Sequence, residues 1–148
     1  MPSAAIIRKI ASFLLIVCIV LPLSKCESKL DPGQKKTVAT DTYFYPYEIA
    51  ADNAKDLGKD RTPEALIMLV ALAATYLLPL ATLKASARTQ ATAIVVGAPL
   101  ALWVIGVWGF GMSRTPQSGA LLAAACWICL FVISIRALWQ RWRPPTTP

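Results

Sequence analysis

Three uncharged stretches constrain this chain more than any other feature. They run from Ala65 to Leu83, from Thr89 to Ser113 and from Thr115 to Ile135, which is 19, 25 and 21 residues. A helix rises 1.5 Å per residue, so roughly 20 apolar residues cross about 30 Å of hydrocarbon. A helix on a soluble core would show a polar face every few residues, and these runs do not. With 56% of the 148 residues hydrophobic, the sequence predicts an all-α membrane protein. It has three firm transmembrane helices, an N-terminal signal or anchor helix, and a short external segment. The parts are 1–25 (signal peptide or first transmembrane helix), 26–63 (external), 64–140 (a three-helix bundle) and 141–148 (a Pro-rich tail).

Charge sets the expected orientation. The net charge is +7, yet every acidic residue lies in one polar segment, Lys25 to Glu64. Elsewhere the charges are all basic: Arg8 and Lys9, Lys84 and Arg88, Arg114, then Arg136, Arg141 and Arg143. Basic residues favour cytoplasmic loops. An N-terminus and C-terminus in the cytoplasm put segments of +2, +2 and +3 inside and leave the −1 polar segment and Arg114 outside. The expected location is a bacterial inner membrane, multi-pass, with residues 26–63 external. No basic run interleaved with stacking aromatics points to nucleic acid.

The N-terminal segment has two readings. Arg8 and Lys9 precede an uncharged run from Ile10 to Ser24. As a helix it is roughly 22 Å long, short for a span and close to a signal-peptide core. Pro22 breaks it. The sequence Leu23-Ser24-Lys25-Cys26 also resembles a bacterial lipoprotein processing site, with Lys25 standing where that pattern has a small residue. The resemblance implies acyl chains on Cys26. The other reading retains the segment as a first transmembrane helix, with Cys26 a free thiol in a loop.

The external segment is too short to build its own stable core and has no cysteine pair to staple it. Asp31-Pro32-Gly33 reads as a turn. Glu48 to Leu57 reads as a short helix ending near Gly58, with Asp52, Lys55, Asp56 and Lys59 pairing along its solvated face. Thr62 and Pro63 read as the cap and first residue of the next helix. Between them Tyr43, Phe44, Tyr45 and Tyr47 place four aromatics in six residues. Such residues either sit at the headgroup level or dock into a partner.

The spans lack the chemistry of most transporters and enzymes. No Asp, Glu, Lys or His lies in the three runs, and the chain has no histidine. No histidine-ligated haem, metal or cofactor is expected. Cys126-Trp127-Ile128-Cys129 is the one motif that hints at redox or soft-metal work, but no basic neighbour stabilises a thiolate there. Thr75, Tyr76, Thr82, Thr92 and Ser134 form a thin candidate polar stripe. Pro79 and Pro99 predict kinks that free the carbonyls of Thr75 and Val95. Gly119 with Ala123, and Ala120 with Ala124, are small residues four apart that permit close helix packing, within this chain or with another subunit. Trp103, Trp108 and Trp127 need acceptors for their indole N–H groups.

The expected function is therefore non-enzymatic: an accessory or scaffolding subunit of a membrane complex, whose partners are the lipid bilayer and other subunits or a second copy. Two alternatives stand beside it. One is a membrane thiol oxidoreductase or soft-metal carrier using Cys126 and Cys129. The other is a small uncoupled pore.

Overall fold

The computed structural model describes residues 4–26, 42–60, 63–111 and 115–142. The turn at Asp31-Pro32-Gly33, the Thr62 cap, Arg114 and residues 143–148 of the tail fall outside them. Among the described residues five helices run in the order α1 (Ala4–Val17), α2 (Pro46–Asp60), α3 (Pro63–Ala81), α4 (Ala87–Ile105) and α5 (Ser118–Trp142). A 3₁₀ turn, Cys18–Val20, prolongs α1, and another, Thr82–Lys84, ends α3. One π-helical turn, Gly106–Gly111, extends α4. The stretches Pro63–Lys84, Ala87–Gly111 and Ser118–Gln140 are each long and apolar enough to cross a membrane. The chain is an all-α, multi-pass membrane protein.

α1 packs beside these three. It buries Arg8, Ala11, Ser12 and Leu15 against α3 and α5. Its opposite face leaves Ile6, Ile10, Phe13 and Val17 exposed at helical spacing. Small residues set the closest approaches. A Cβ on Gly119 would stand 2.6 Å from the backbone oxygen of Pro22, and one on Gly109 would stand 2.5 Å from Ala120 Cβ.

Three short strands tie the segments together at one end. These are β1 (Ser24–Cys26), β2 (Thr42–Phe44) and β3 (Thr115–Pro116), in the spatial order β2-β1-β3. Both pairings are antiparallel, with Ser24 opposite Phe44 and Pro116, and Lys25 opposite Tyr43 and Thr115. Pro116 sits on an edge strand, where a missing N–H does no harm. The sequence reading contains no strands, because segments of two or three residues show no period and their partners lie far away in the chain. Leu23 extends the joint: its N–H donates to Phe44 O at 2.8 Å, and its carbonyl accepts from Gln117 N at 3.2 Å. The residues after α1 thus also receive backbone donors at the start of α5.

α2 is longer than the expected Glu48–Leu57. Pro46, whose missing N–H costs nothing at a first helical position, opens it, and Gly58 is absorbed rather than ending it. It lies over the sheet end and packs on α3, with Pro46 and Ile49 buried and most of the outer face exposed. Pro63 is the first residue of α3, and Pro79 and Pro99 lie inside α3 and α4.

The strand pairings and the antiparallel helices put all described basic residues of the spans at the opposite end. Arg8, Lys84, Arg88 and Arg136 belong to it, while Glu48, Asp52, Asp56 and Glu64 belong to the sheet end.

Candidate functional site

At the sheet end the four aromatics separate. Phe44 packs against the core cluster. Tyr43 and Tyr47 remain 40% and 47% exposed, and Tyr45 is half-buried between them. The Tyr45 and Tyr47 rings lie 5.5 Å apart, tilted by 36°, and Lys25 Nζ sits 5.9 Å from the Tyr43 ring centroid, within cation–π range. Partial desolvation, and then a 3.2 Å hydrogen bond from its hydroxyl to Glu48 Oε1, raise the Tyr47 phenol above its ordinary pKa. On α2, Lys55 pairs with Asp52 at 3.1 Å with both side chains exposed, and Asn53 Nδ2 donates to Ile49 O at 2.8 Å. Among the described residues β2 is an edge strand, with no described strand on its outer side. Beneath α2 an apolar recess of about 200 Å³ opens between the 3₁₀ turn and α3, lined by Ile19, Tyr47, Leu72 and Tyr76 among others.

The small-residue pair lies inside the chain. Gly119 meets Leu21 and Pro22, and Ala123 is fully buried in the core cluster.

The thiols are interior. Cys126 is buried and Cys129 half-buried on the same helix, and both are free. Cys18, which motif spacing does not single out, is also free and buried, within electrostatic reach of Cys126. Among the described residues no three His, Cys, Asp or Glu side chains converge as metal ligands. Buried thiols in apolar surroundings act as small apolar fillers. Cys26 ends β1, and its side chain lies outside the described atoms.

The five residues of the polar stripe differ in burial and partners. Thr75 is buried with its hydroxyl on Ala71 O at 2.7 Å, and Thr82 is bonded to Leu78 O at 2.9 Å. Tyr76 and Ser134 are buried without a hydrogen-bond partner for their hydroxyls, while Thr92 is exposed on α4. The three tryptophans also diverge: Trp127 is fully buried, Trp103 faces outward, and the Trp108 indole nitrogen is buried without an acceptor.

At the basic end a second recess opens between the start of α1 and the end of α5. It is lined by Ala4, Ile7, Arg8, Ile133, Arg136, Ala137 and Gln140. Arg8 Nη1 reaches Gln90 Oε1 at 3.5 Å. Its burial was not legible from the sequence, where Arg8 reads as a flanking charge.

Comparison with known proteins finds no matching family model, no matching curated protein and no matching solved structure.

Proposed function

We propose that this chain is a non-enzymatic accessory or scaffolding subunit of a bacterial inner-membrane assembly, held by the bilayer and presenting its sheet end to a partner subunit. The observation that carries the reading is the edge strand β2, whose Tyr43 is exposed beside the exposed Tyr47. An unpaired edge offers backbone hydrogen bonds to an incoming segment, and tyrosine supplies rigid contact area at low entropy cost. The bulk of the bundle is closed, with apolar side chains filling the core between the helices.

The orientation that agrees with this role places the sheet end outside and the basic end in the cytoplasm, following the basic residues at Arg8, Lys84, Arg88 and Arg136. The N-terminal segment is retained in this proposal. Leu15, Cys18 and Leu23 are fully buried members of the common core, and their loss would uncover apolar faces of α3 and α5.

Native mass spectrometry of the C-terminally tagged protein, released gently from its own membrane, tests the proposal. Stoichiometric heavier subunits that dissociate on Tyr43→Ala with Tyr47→Ala support it. A chain found alone, or with partners indifferent to both substitutions, sinks it. The mass also reports whether α1 is present and whether Cys26 carries acyl chains.

A further inference from the structure

We infer that the recess between the start of α1 and the end of α5 is a binding site for a phosphate-bearing anion, with Arg8 as its buried ligand and Arg136 at its rim. The basic end is electrostatically unbalanced. Arg8 is only 8% exposed, so its guanidinium has been withdrawn from most of its water. A guanidinium carries five N–H donors. Here one nitrogen makes a single long contact, 3.5 Å to Gln90 Oε1, and Nε is buried with no partner among the described residues. Burying a cation is costly unless an anion or strong acceptors replace the lost water.

This chain does not supply that anion from its described residues. Glu64, at the sheet end, is separated from Lys84 by the length of α3 and its terminal turn, about 30 Å at the helical rise. Glu48, Asp52 and Asp56 lie on α2, at the same far end. The second wall of the recess adds to the imbalance, because Arg136 is a further cation. Ala4 and Ile7 bring the first turn of α1, where backbone N–H groups have no acceptor within the helix and the dipole is positive. The negative end of the α5 dipole amounts to about half a charge and is outweighed by two guanidinium groups.

Size and place narrow the ligand. The recess holds about 290 Å³, at the low end of small-molecule sites. It accommodates a phosphate and the start of a headgroup and is small for a nucleotide. It lies at the basic end, between the start of α1 and the end of α5, and basic recesses between transmembrane helices suit anionic lipids. Guanidinium groups bind phosphate through paired N–H donors. The shared chemistry is the phosphate, carried by an anionic phospholipid or free in solution. This inference is independent of any partner at the sheet end.

The test uses the full chain purified in detergent and native mass spectrometry after adding equimolar phosphatidylglycerol and phosphatidylcholine, with inorganic phosphate in a separate arm. The wild type should retain phosphatidylglycerol over phosphatidylcholine. Arg8→Gln and Arg136→Gln should each lower that retention about tenfold. Stabilisation by inorganic phosphate, lost in the same variants and without lipid preference, would also support the site and identify free phosphate as its occupant. If Arg8→Gln does not give a monodisperse protein, Arg136→Gln on the exposed rim decides. Equal retention of both lipids with no response to phosphate, or a preference unchanged in Arg136→Gln and in any folded Arg8→Gln, overturns the inference.

Discussion

The indole Nε1 of Trp127 donates to the carbonyl oxygen of Thr75 at 2.9 Å, joining α5 to α3 in the middle of the bundle. That carbonyl is the one Pro79 releases, since proline has no N–H to offer four residues back. Trp127 is fully buried, so its N–H needs an acceptor as much as the carbonyl needs a donor. Each orphan satisfies the other. Trp127→Phe keeps most of the ring but leaves the carbonyl unpaired, at an expected cost of about 1–3 kcal/mol. Adding Pro79→Ala restores an N–H at position 79 and should recover part of that loss. Unfolding in graded denaturing detergent, run as a double-mutant cycle, measures the coupling. Strictly additive effects would show that the two groups do not depend on each other.

That bond marks the line between what the sequence reveals and what it withholds. The kink site, the freed carbonyl and the indole's need for an acceptor are all readable from Pro79, Thr75 and Trp127. Their mutual solution is not, because it depends on how α5 faces α3. The spans are legible because their signal is local: uninterrupted apolar length. The sheet is invisible for the opposite reason. Pro116 reaches Ser24 only after α2, α3 and α4 have been placed between them. Arg8 is a similar case, since a flanking charge and a buried ligand look alike until a neighbouring helix covers one of them. At the sheet end the aromatic run is conspicuous, but only the strand register sends Phe44 inward and leaves Tyr43 exposed.

Glycine substitutions should rank by what the new methyl meets. At Gly119 it meets the Pro22 carbonyl oxygen at 2.6 Å and Leu21 at 3.0 Å. Backbone atoms there are also fixed by the Gly119 N–H, which donates to Pro22 O at 3.2 Å. At Gly97 the nearest atom is Leu78 Cδ2 at 2.7 Å, the far end of a flexible side chain. Gly119→Ala should therefore cost about 1–3 kcal/mol, as overpacking against rigid neighbours does, and Gly97→Ala less. The same detergent unfolding assay compares them. Equal costs would mean that the joint between α1 and α5 yields more readily than this geometry allows.

Cys18 and Cys126 are buried in the core and Cys129 is half-buried beside them, an environment that shields thiols from water-borne reagents. A membrane-impermeant maleimide should leave all three unmodified in intact membranes and label them after denaturation. Replacing Cys126 and Cys129 with alanine should leave any partner complex assembled, with no loss of thiol turnover in the membrane. Loss of turnover in the double variant, with assembly intact, would instead favour the oxidoreductase reading.

Orientation gives a prediction that does not depend on any partner. Tyr47 lies at the sheet end and Arg88 at the basic end, and both positions are exposed. The basic residues assign the second end to the cytoplasm. In a variant with the four native cysteines replaced by alanine, Tyr47→Cys should react with an impermeant maleimide added to intact cells. Arg88→Cys should react only once the inner membrane is opened. The reverse pattern would put Arg8, Arg88 and Arg136 outside, against the usual bias. Reaction of both in intact cells would mean either mixed orientation or a leaky membrane, which an internal cytoplasmic thiol protein distinguishes. Because α1 carries Arg8 at the same end as Arg88, the pattern also fixes which leaflet would supply the anion for the recess at the basic end.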